Sequence, residues 1–473
     1  MNTARVLDIF KEITTIPRES GHEGPITDWL CRWAEEHSLS FKRDATGNVL
    51  IVRPAAPGKE SVPTVVLQAH QDMVCEKNAG VKHDFRKDPI RYVIEDGWMI
   101  AKDTTLGADD GIGIAACLAL LEDDAPTGAV ECLFTISEET GMDGAEALES
   151  GFFEGKTLIN LDSEDEGQLF IGCAGGLNTN IKFRFTRKES NLSYVRCCIS
   201  GGIGGHSGDD INKGRANTVQ LMARFLFSQL ASGLQLVSID GGGKPNAIAR
   251  ECEAVVAVPD AARCIADFRA FGADIAEEFH RTDPGLVCKA ERAPMHRMPI
   301  SAASSRRIIS ALNACPHGVE AMSQDIPDLV QTSTNLASAH TLEDKRVIEI
   351  VTSQRSSATS ERRAMAAKVR ACFELAGATV RHMYEYPGWN PDMNSHILAR
   401  TAEAYRRLFK QEPEIKAIHA GLECGLFLQK FPGLDMISFG PTLRGVHAPG
   451  EKLELASMDK FVALLDDVVR NFE

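Results

Sequence analysis

The sequence predicts an α/β fold interrupted by a separately built insertion. Strand and helix patterns alternate up to residue 161, the texture changes near residue 187, and the alternation resumes after a Pro/Gly-rich stretch near 391. The length agrees, since 473 residues exceed what one hydrophobic core usually serves. The expected division is an α/β domain over 1–186 and 391–473, with an inserted domain over 187–390.

Helical patterns at 3–14 and 24–37 lead into the strand Asn48-Val-Leu-Ile-Val52. The next strand, Thr64–Ala69, carries consecutive apolar residues, as a strand buried on both faces does. A helix over Gly111–Glu122, a strand over Ala129–Ser137, a short helix over Asp143–Ser150 and a strand over Thr157–Leu161 continue the alternation. The insertion reads as a strand at Leu192–Ser200, a helix across Lys213–Leu230, paired strands near 234–257 and a helix after Pro259. Strands near 327–338 and 345–353 precede a helix at Ser360–Leu375. After Tyr386-Pro-Gly-Trp-Asn-Pro-Asp392 come a helix at about 394–409 and the strand Asp435–Phe439.

With 44% hydrophobic and 25% charged residues the composition is that of a globular protein. Lys and Arg number 51 against 66 Asp and Glu, and the net charge of -15 opposes binding to a phosphate backbone, so nucleic acid is not an expected partner. Thirteen cysteines lack a CxxC motif and cannot all pair, which points to a reducing compartment. The start, MNTARVLDIFKEITTIP, has no uninterrupted apolar segment of the kind that opens an exported chain. The most apolar run, Ile112–Leu121, is too short to span a bilayer. The expectation is a cytoplasmic protein without a membrane partner.

Polar clusters directly follow the apolar runs: His70-Gln-Asp72, Glu138-Glu139, Asp162, and a Gly-Pro-Thr-Leu-Arg-Gly-Val-His447 segment. In open α/β sheets ligands bind beyond the carboxyl ends of strands, where these clusters would converge. His70 and Asp72 stand two apart at a strand end, so they face the same way and can pair, either as a satisfied core histidine or as part of a site. Asp109 and Asp110 precede a helix, where one carboxylate could cap and two exceed what capping needs. Gathering so many carboxylates requires a cation, and His with Asp/Glu suits zinc, with manganese or cobalt as alternatives. One Asp using both oxygens can bridge two ions, the arrangement of hydrolytic two-metal sites.

Taken in order, His-Gln-Asp-Met-Val, TTLGADDG, SEETGMDGA, NLDSEDEG, GCAGG, GGHSG, QRSS, YPGWNPD and HAGLECGLF resemble the co-catalytic di-zinc exopeptidases, the family of carboxypeptidase G2-like enzymes, aminoacylases and carnosinases. The resemblance spans almost the whole chain and is strongest to the aminoacyl-histidine dipeptidase branch. It implies a mixed-sheet catalytic domain with an inserted α+β lid and dimerisation domain, hence a homodimer. It also implies hydrolysis of small dipeptides, Xaa-His among them, with N-acyl amino acid deacylation or carboxypeptidase action as the alternative. The resemblance makes Asp109 the bridge between two divalent ions, His70 and Asp162 the rest of one shell, and Glu139 and His447 the rest of the other. Asp72 then orients the His70 ring, and Glu138 is the general base. His206 in the GGHSG turn polarises the scissile carbonyl, Asn246 and Arg355 hold the substrate carboxylate, and Glu423 contacts the substrate amine or is structural. Asp110 stands where the family pattern leads one to expect Asn, which leaves open which Asp bridges.

Readings from other classes are weaker. Gly111-Ile-Gly-Ile-Ala-Ala116 imitates a dinucleotide fingerprint, but a polar loop separates it from the preceding apolar run, and Asp109 and Asp110 would repel a pyrophosphate. The GGGK at 241–244 lacks the spacing of a P-loop, and neither a G-x-S-x-G elbow nor an H-E-x-x-H motif occurs. A catalytically silent metal-binding protein on the same fold would be expected to lack Glu138.

Overall fold

The structure, a computed structural model, describes residues 1–473. The chain forms two compact units: Met1–Gly172 with Pro391–Ala417 and Leu422–Glu473, and Cys173–Asn390 with Ile418–Gly421. The first expected boundary, between 186 and 187, is therefore too late. The strand Gly175–Arg184 pairs antiparallel with Val347–Ser356 and Thr379–Tyr386, which makes it part of the second unit.

The first unit is built on an eight-stranded mixed sheet. At its centre Val65–His70 runs parallel to both Val130–Thr135 and Thr157–Asn160, and Asp435–Ser438 runs parallel to Thr157–Asn160. Every residue of Val65–His70 and of Val130–Thr135 is buried, as strands covered on both faces must be. The helix Ala108–Leu121 packs against this sheet and is buried on all sides, a segment with no polar face to give to solvent. Asp109 and Asp110 have non-helical dihedrals, so its regular part begins at the expected Gly111. The short strands Tyr92–Glu95, Trp98–Ala101, Leu443–Arg444 and Lys452–Glu454 form a separate antiparallel sheet that the sequence did not signal.

The second unit is an antiparallel sheet of nine strands. Val195, Cys197, Ile199, Leu236, Ala254 and Val256 alternate onto one face, where Phe225, Phe268, Ile308 and Phe373 from four helices complete the core. The helix expected across 213–230 occupies Thr218–Ser228, because Asn217 caps it by accepting the Val219 and Gln220 N–H groups. The helix Ala302–Ala314 was not anticipated. No helix is long and apolar enough to cross a membrane.

Candidate metal centre and substrate residues

Parallel strands place the polar clusters at one end of the first unit's sheet. His70 is the last residue of its strand, Glu138 and Glu139 follow the strand ending at Thr135, and Asp162 follows the one ending at Asn160. Three groups of donor atoms result, each lying within 4.8 Å: His70, Asp109 and Asp162; Asp109, Glu139 and His447; and His70, Glu138 and Glu139.

Asp109 lies between two imidazoles. Its Oδ1 is 2.8 Å from His70 Nε2 and its Oδ2 is 3.0 Å from His447 Nε2. Asp162 Oδ1 is 3.4 Å from His70 Nε2, and Glu139 Oε1 is 2.7 Å from His447 Nε2. Asp110 turns away. Its Oδ1 accepts the Gly113 N–H at 3.0 Å, while its Oδ2 is buried without a partner, and burial pushes its carboxyl up to about 8. Of the two aspartates, Asp109 is the one that the fold brings among the other donors.

The glycines that imitate a dinucleotide fingerprint have a packing reason. A Cβ at Gly113 would fall 2.3 Å from Asp110 Oδ1, and one at Gly111 would fall 2.7 Å from an Arg18 nitrogen and 2.8 Å from the Phe10 ring. These residues are small because charged and aromatic side chains press on the helix start.

The donor set fits divalent cations. Burial pushes the Asp162 and Glu138 carboxyls well above the usual range, and no Lys or Arg pairs with Asp109, Glu138, Glu139 or Asp162. Burial alone would lower the His447 ring, yet Asp109 and Glu139 raise it to about 11. A cation placed among these oxygens removes the repulsion that burial otherwise imposes.

Asp72 is fully buried, with Oδ1 3.3 Å from His70 Nδ1, and the His70 ring also meets the Asp72 backbone carbonyl at 3.1 Å. The same carboxylate accepts the Ser20 hydroxyl at 2.8 Å and the backbone N–H groups of Glu138 and Glu139 at 3.0 and 3.2 Å. One layer below these donors runs a belt of buried polar side chains. Gln68 donates to Glu423 Oε2 at 2.7 Å and to the Thr135 hydroxyl at 3.1 Å, and the Asn160 amide donates to Gln68 Oε1 at 2.6 Å. The Ser438 hydroxyl continues the belt to Asn160 Oδ1. Glu423 is 1% exposed and is held within this belt, a position from which it supports strand ends.

In the second unit, the turn carrying His206 is held by the Ser207 N–H donating to the Asn246 carbonyl at 2.8 Å. His206 Nδ1 lies 3.4 Å from an Asp209 carboxylate oxygen, and its Nε2 lies 3.4 Å from Arg355 Nη2. The Asn246 side chain itself belongs to an exposed residue. Arg355 is 7% exposed and donates to the Tyr386 hydroxyl at 3.2 Å and the Ser207 hydroxyl at 3.4 Å, yet it has no carboxylate partner. Sequence reasoning missed Tyr386, Ser207 and Ser20, although Tyr386 opens the YPGWNPD motif.

The sequence pattern of peptidase family M20/M25/M40 matches residues 66–471. The chain belongs to this family. It is 37% identical over 471 residues to the cytosol non-specific dipeptidase of Escherichia coli (strain K12), covering 98% of this chain and 96% of that one. Among solved M20-type folds, the aminoacylhistidine dipeptidase from Vibrio alginolyticus superposes with a TM-score of 0.91 at 38% identity, over 99% of this chain and 97% of that chain. Aminopeptidase PepT from Bacillus cereus ATCC 10987, at 17% identity and a TM-score of 0.59 over 99% and 98% of the two chains, shares the fold. The M20 family accounts for a metal-dependent peptidase, and none of the thirteen cysteines forms a disulfide.

Proposed function

We propose that this M20-family chain hydrolyses dipeptides with free termini in the cytoplasm, Xaa-His dipeptides among them, using two divalent cations, zinc first among them. The observation that carries this reading is Asp109, which presents one oxygen to His70 and the other to His447 within facing groups of His, Asp and Glu donors. In this reading His70 and Asp162 complete one cation shell and Glu139 and His447 the other. Divalent cations held there supply Lewis acidity to a peptide carbonyl and make water acidic enough to ionise near neutral pH.

The residues of the chain divide the remaining work. Asp72 fixes the His70 ring with Nε2 toward the site. Glu138, adjacent to a ligand but outside the Asp109 groups, takes the proton of the attacking water and passes it to the leaving amine. His206 steadies the carbonyl oxygen as charge builds on it. Arg355 receives the terminal carboxylate, a role supported by a buried guanidinium whose hydrogen-bond partners include no carboxylate, and Asn246 lies beside the same turn. The second unit is also proposed to pair two copies, which sedimentation of the purified protein tests.

Rates on a panel of dipeptides including carnosine, measured beside N-acetyl amino acids and C-terminally extended peptides, test the substrate class. Preference for free dipeptides is expected. Faster turnover of N-acetyl amino acids would replace this reading with that of a deacylase.

A further inference from the structure

Two buried, oppositely charged side chains that no part of the proposed chemistry uses grip the loop carrying Asp109. Arg18 is 2% exposed and Glu451 is 2% exposed. The Glu451 carboxylate accepts three successive backbone N–H groups, from Leu106 at 2.8 Å, Gly107 at 3.0 Å and Ala108 at 2.9 Å. From the other side Arg18 Nη2 donates to the Gly107 carbonyl, and Arg18 Nη1 donates to the carbonyls of Gln71 at 3.2 Å and Asp72 at 2.8 Å. The Met73 N–H returns a hydrogen bond to the Arg18 carbonyl at 3.0 Å.

The connections join three ligand-bearing segments. Arg18 ties the residues just after His70 to the residues just before Asp109, and Glu451 ties that same loop to the segment carrying His447, four residues upstream of it. The fit is close: Gly107 adopts φ +71°, and a Cβ there would fall 2.5 Å from Arg18 Nη2 and 2.7 Å from Met73 Sδ. A backbone loop left to itself loses conformational freedom when it orders around a ligand, and that cost is absent when the loop is already fixed.

We infer that Arg18 and Glu451 are positioning residues that hold Asp109, His70 and His447 in ligating register before any cation arrives. The inference rests on the proposed cation roles of those three residues. Arg suits its half of the clamp because its planar fork puts donors on two separate nitrogens, one for the Gln71 and Asp72 carbonyls and one for Gly107, whereas the donors of an ammonium radiate from a single atom. Glu451 suits the other half because two carboxylate oxygens satisfy three N–H groups that would otherwise be buried without acceptors.

Glu131 provides the control. It is 4% exposed and likewise holds backbone N–H groups, those of Glu154 and Gly155 at 2.9 Å, but it sits in the strand Val130–Thr135 near the end opposite the ligands. Parent, Arg18→Lys, Glu451→Gln and Glu131→Gln proteins, freed of metal, are titrated with Co²⁺ by calorimetry and by visible absorption, and unfolded in urea. The expected result is a tenfold or greater loss of Co²⁺ affinity with an altered absorption spectrum in Arg18→Lys and Glu451→Gln. Glu131→Gln is expected to keep the parent's affinity and spectrum whatever its urea midpoint. Parent-like affinity in both clamp variants, or an equal loss in Glu131→Gln, overturns the inference.

A measurement on the unsubstituted protein decides the matter if the variants do not fold. Amide hydrogen exchange at Leu106, Gly107 and Ala108 is expected to stay slow in the metal-free protein, and exchange at exposed-loop rates that slows only with Co²⁺ overturns the clamp. A parent protein that binds fewer than two ions defeats the two-cation reading instead, so the two failures are distinct.

Discussion

Asp72 holds Glu138 by its backbone: the carboxylate accepts the Glu138 N–H at 3.0 Å while lying 3.3 Å from His70 Nδ1. One buried anion thus sets both the ring of a proposed ligand and the start of the segment that carries the proposed general base. Asp72→Asn leaves a similar shape but turns an NH₂ toward donors. It is expected to weaken cation binding by roughly 10- to 100-fold and to lower kcat in fully loaded protein as well. Calorimetric titration with Zn²⁺ beside steady-state kinetics checks this, and unchanged values in both would free Asp72 of the role.

Glu138 and Glu139 are neighbours with different expected signatures. Glu138→Gln should retain two cations while kcat falls by roughly 10²- to 10⁴-fold, because an amide cannot accept the proton of water. Glu139→Gln should lose cation affinity first, since Glu139 faces His447 at 2.7 Å. Metal analysis of both proteins gives the answer, and the reverse pattern exchanges the two roles.

Arg355 should discriminate between free and amidated dipeptides. A charge-assisted hydrogen bond contributes about 1.5–3 kcal/mol, so kcat/KM for dipeptide amides is expected to be roughly 10- to 100-fold lower than for free dipeptides. Arg355→Ala should erase that difference without changing metal content. Tyr386→Phe, which removes the hydroxyl 3.2 Å from the guanidinium, should narrow it only partly. Equal rates on free and amidated substrates in the unsubstituted enzyme would remove Arg355 from substrate recognition.

His317 gives the second unit an acid-sensitive point. Its Nδ1 accepts the Leu336 N–H at 3.2 Å, and burial pushes the ring down to about 4 from an ordinary 6.5. Because the folded value is the lower one, the unfolded chain takes up a proton below 6.5 that the folded chain refuses. The stabilisation is complete above that value and is lost as pH falls toward about 4. At about pH 5 the loss amounts to about 2 kcal/mol. His317→Gln keeps an acceptor without titrating, so its urea stability should fall less steeply than the parent's between neutral pH and pH 5, whereas identical slopes would contradict the assignment.

The central strands and helices were legible because their burial is written as apolar runs, as in Val65-Val-Leu67 and Cys132-Leu-Phe134. The short strands at 92–101 and 443–454 were not, since most of their side chains are partly or fully exposed and the pairing that joins Lys452–Glu454 to Trp98–Ile100 is distant in sequence. Of the site, residue types at strand ends located the donor clusters, but residue type and spacing did not distinguish Asp109 from Asp110, and only the family resemblance favoured Asp109. That distinction arises from backbone direction at the helix start, which sends one carboxylate toward His70 and the other toward Gly113. Arg18 and Glu451 were invisible for a related reason: their partners are backbone atoms, which carry no residue identity to read.

The polar belt beneath the ligands gives the first unit a check on its own threading. Gln68 and His70 stand two apart on one strand and so face the same side, while Asn160 ends the neighbouring strand with Asp162 just beyond it. Sliding the strand Val65–His70 by a single residue would turn Gln68 and His70 to the opposite face. Hydrogen bonding within the sheet and capture of the cation would then fail together. Because the proposed ligands come from segments as far apart as His70 and His447, a complete donor set exists only in a correctly threaded molecule. In the proposed two-cation reading, retained metal is therefore a report on accurate threading.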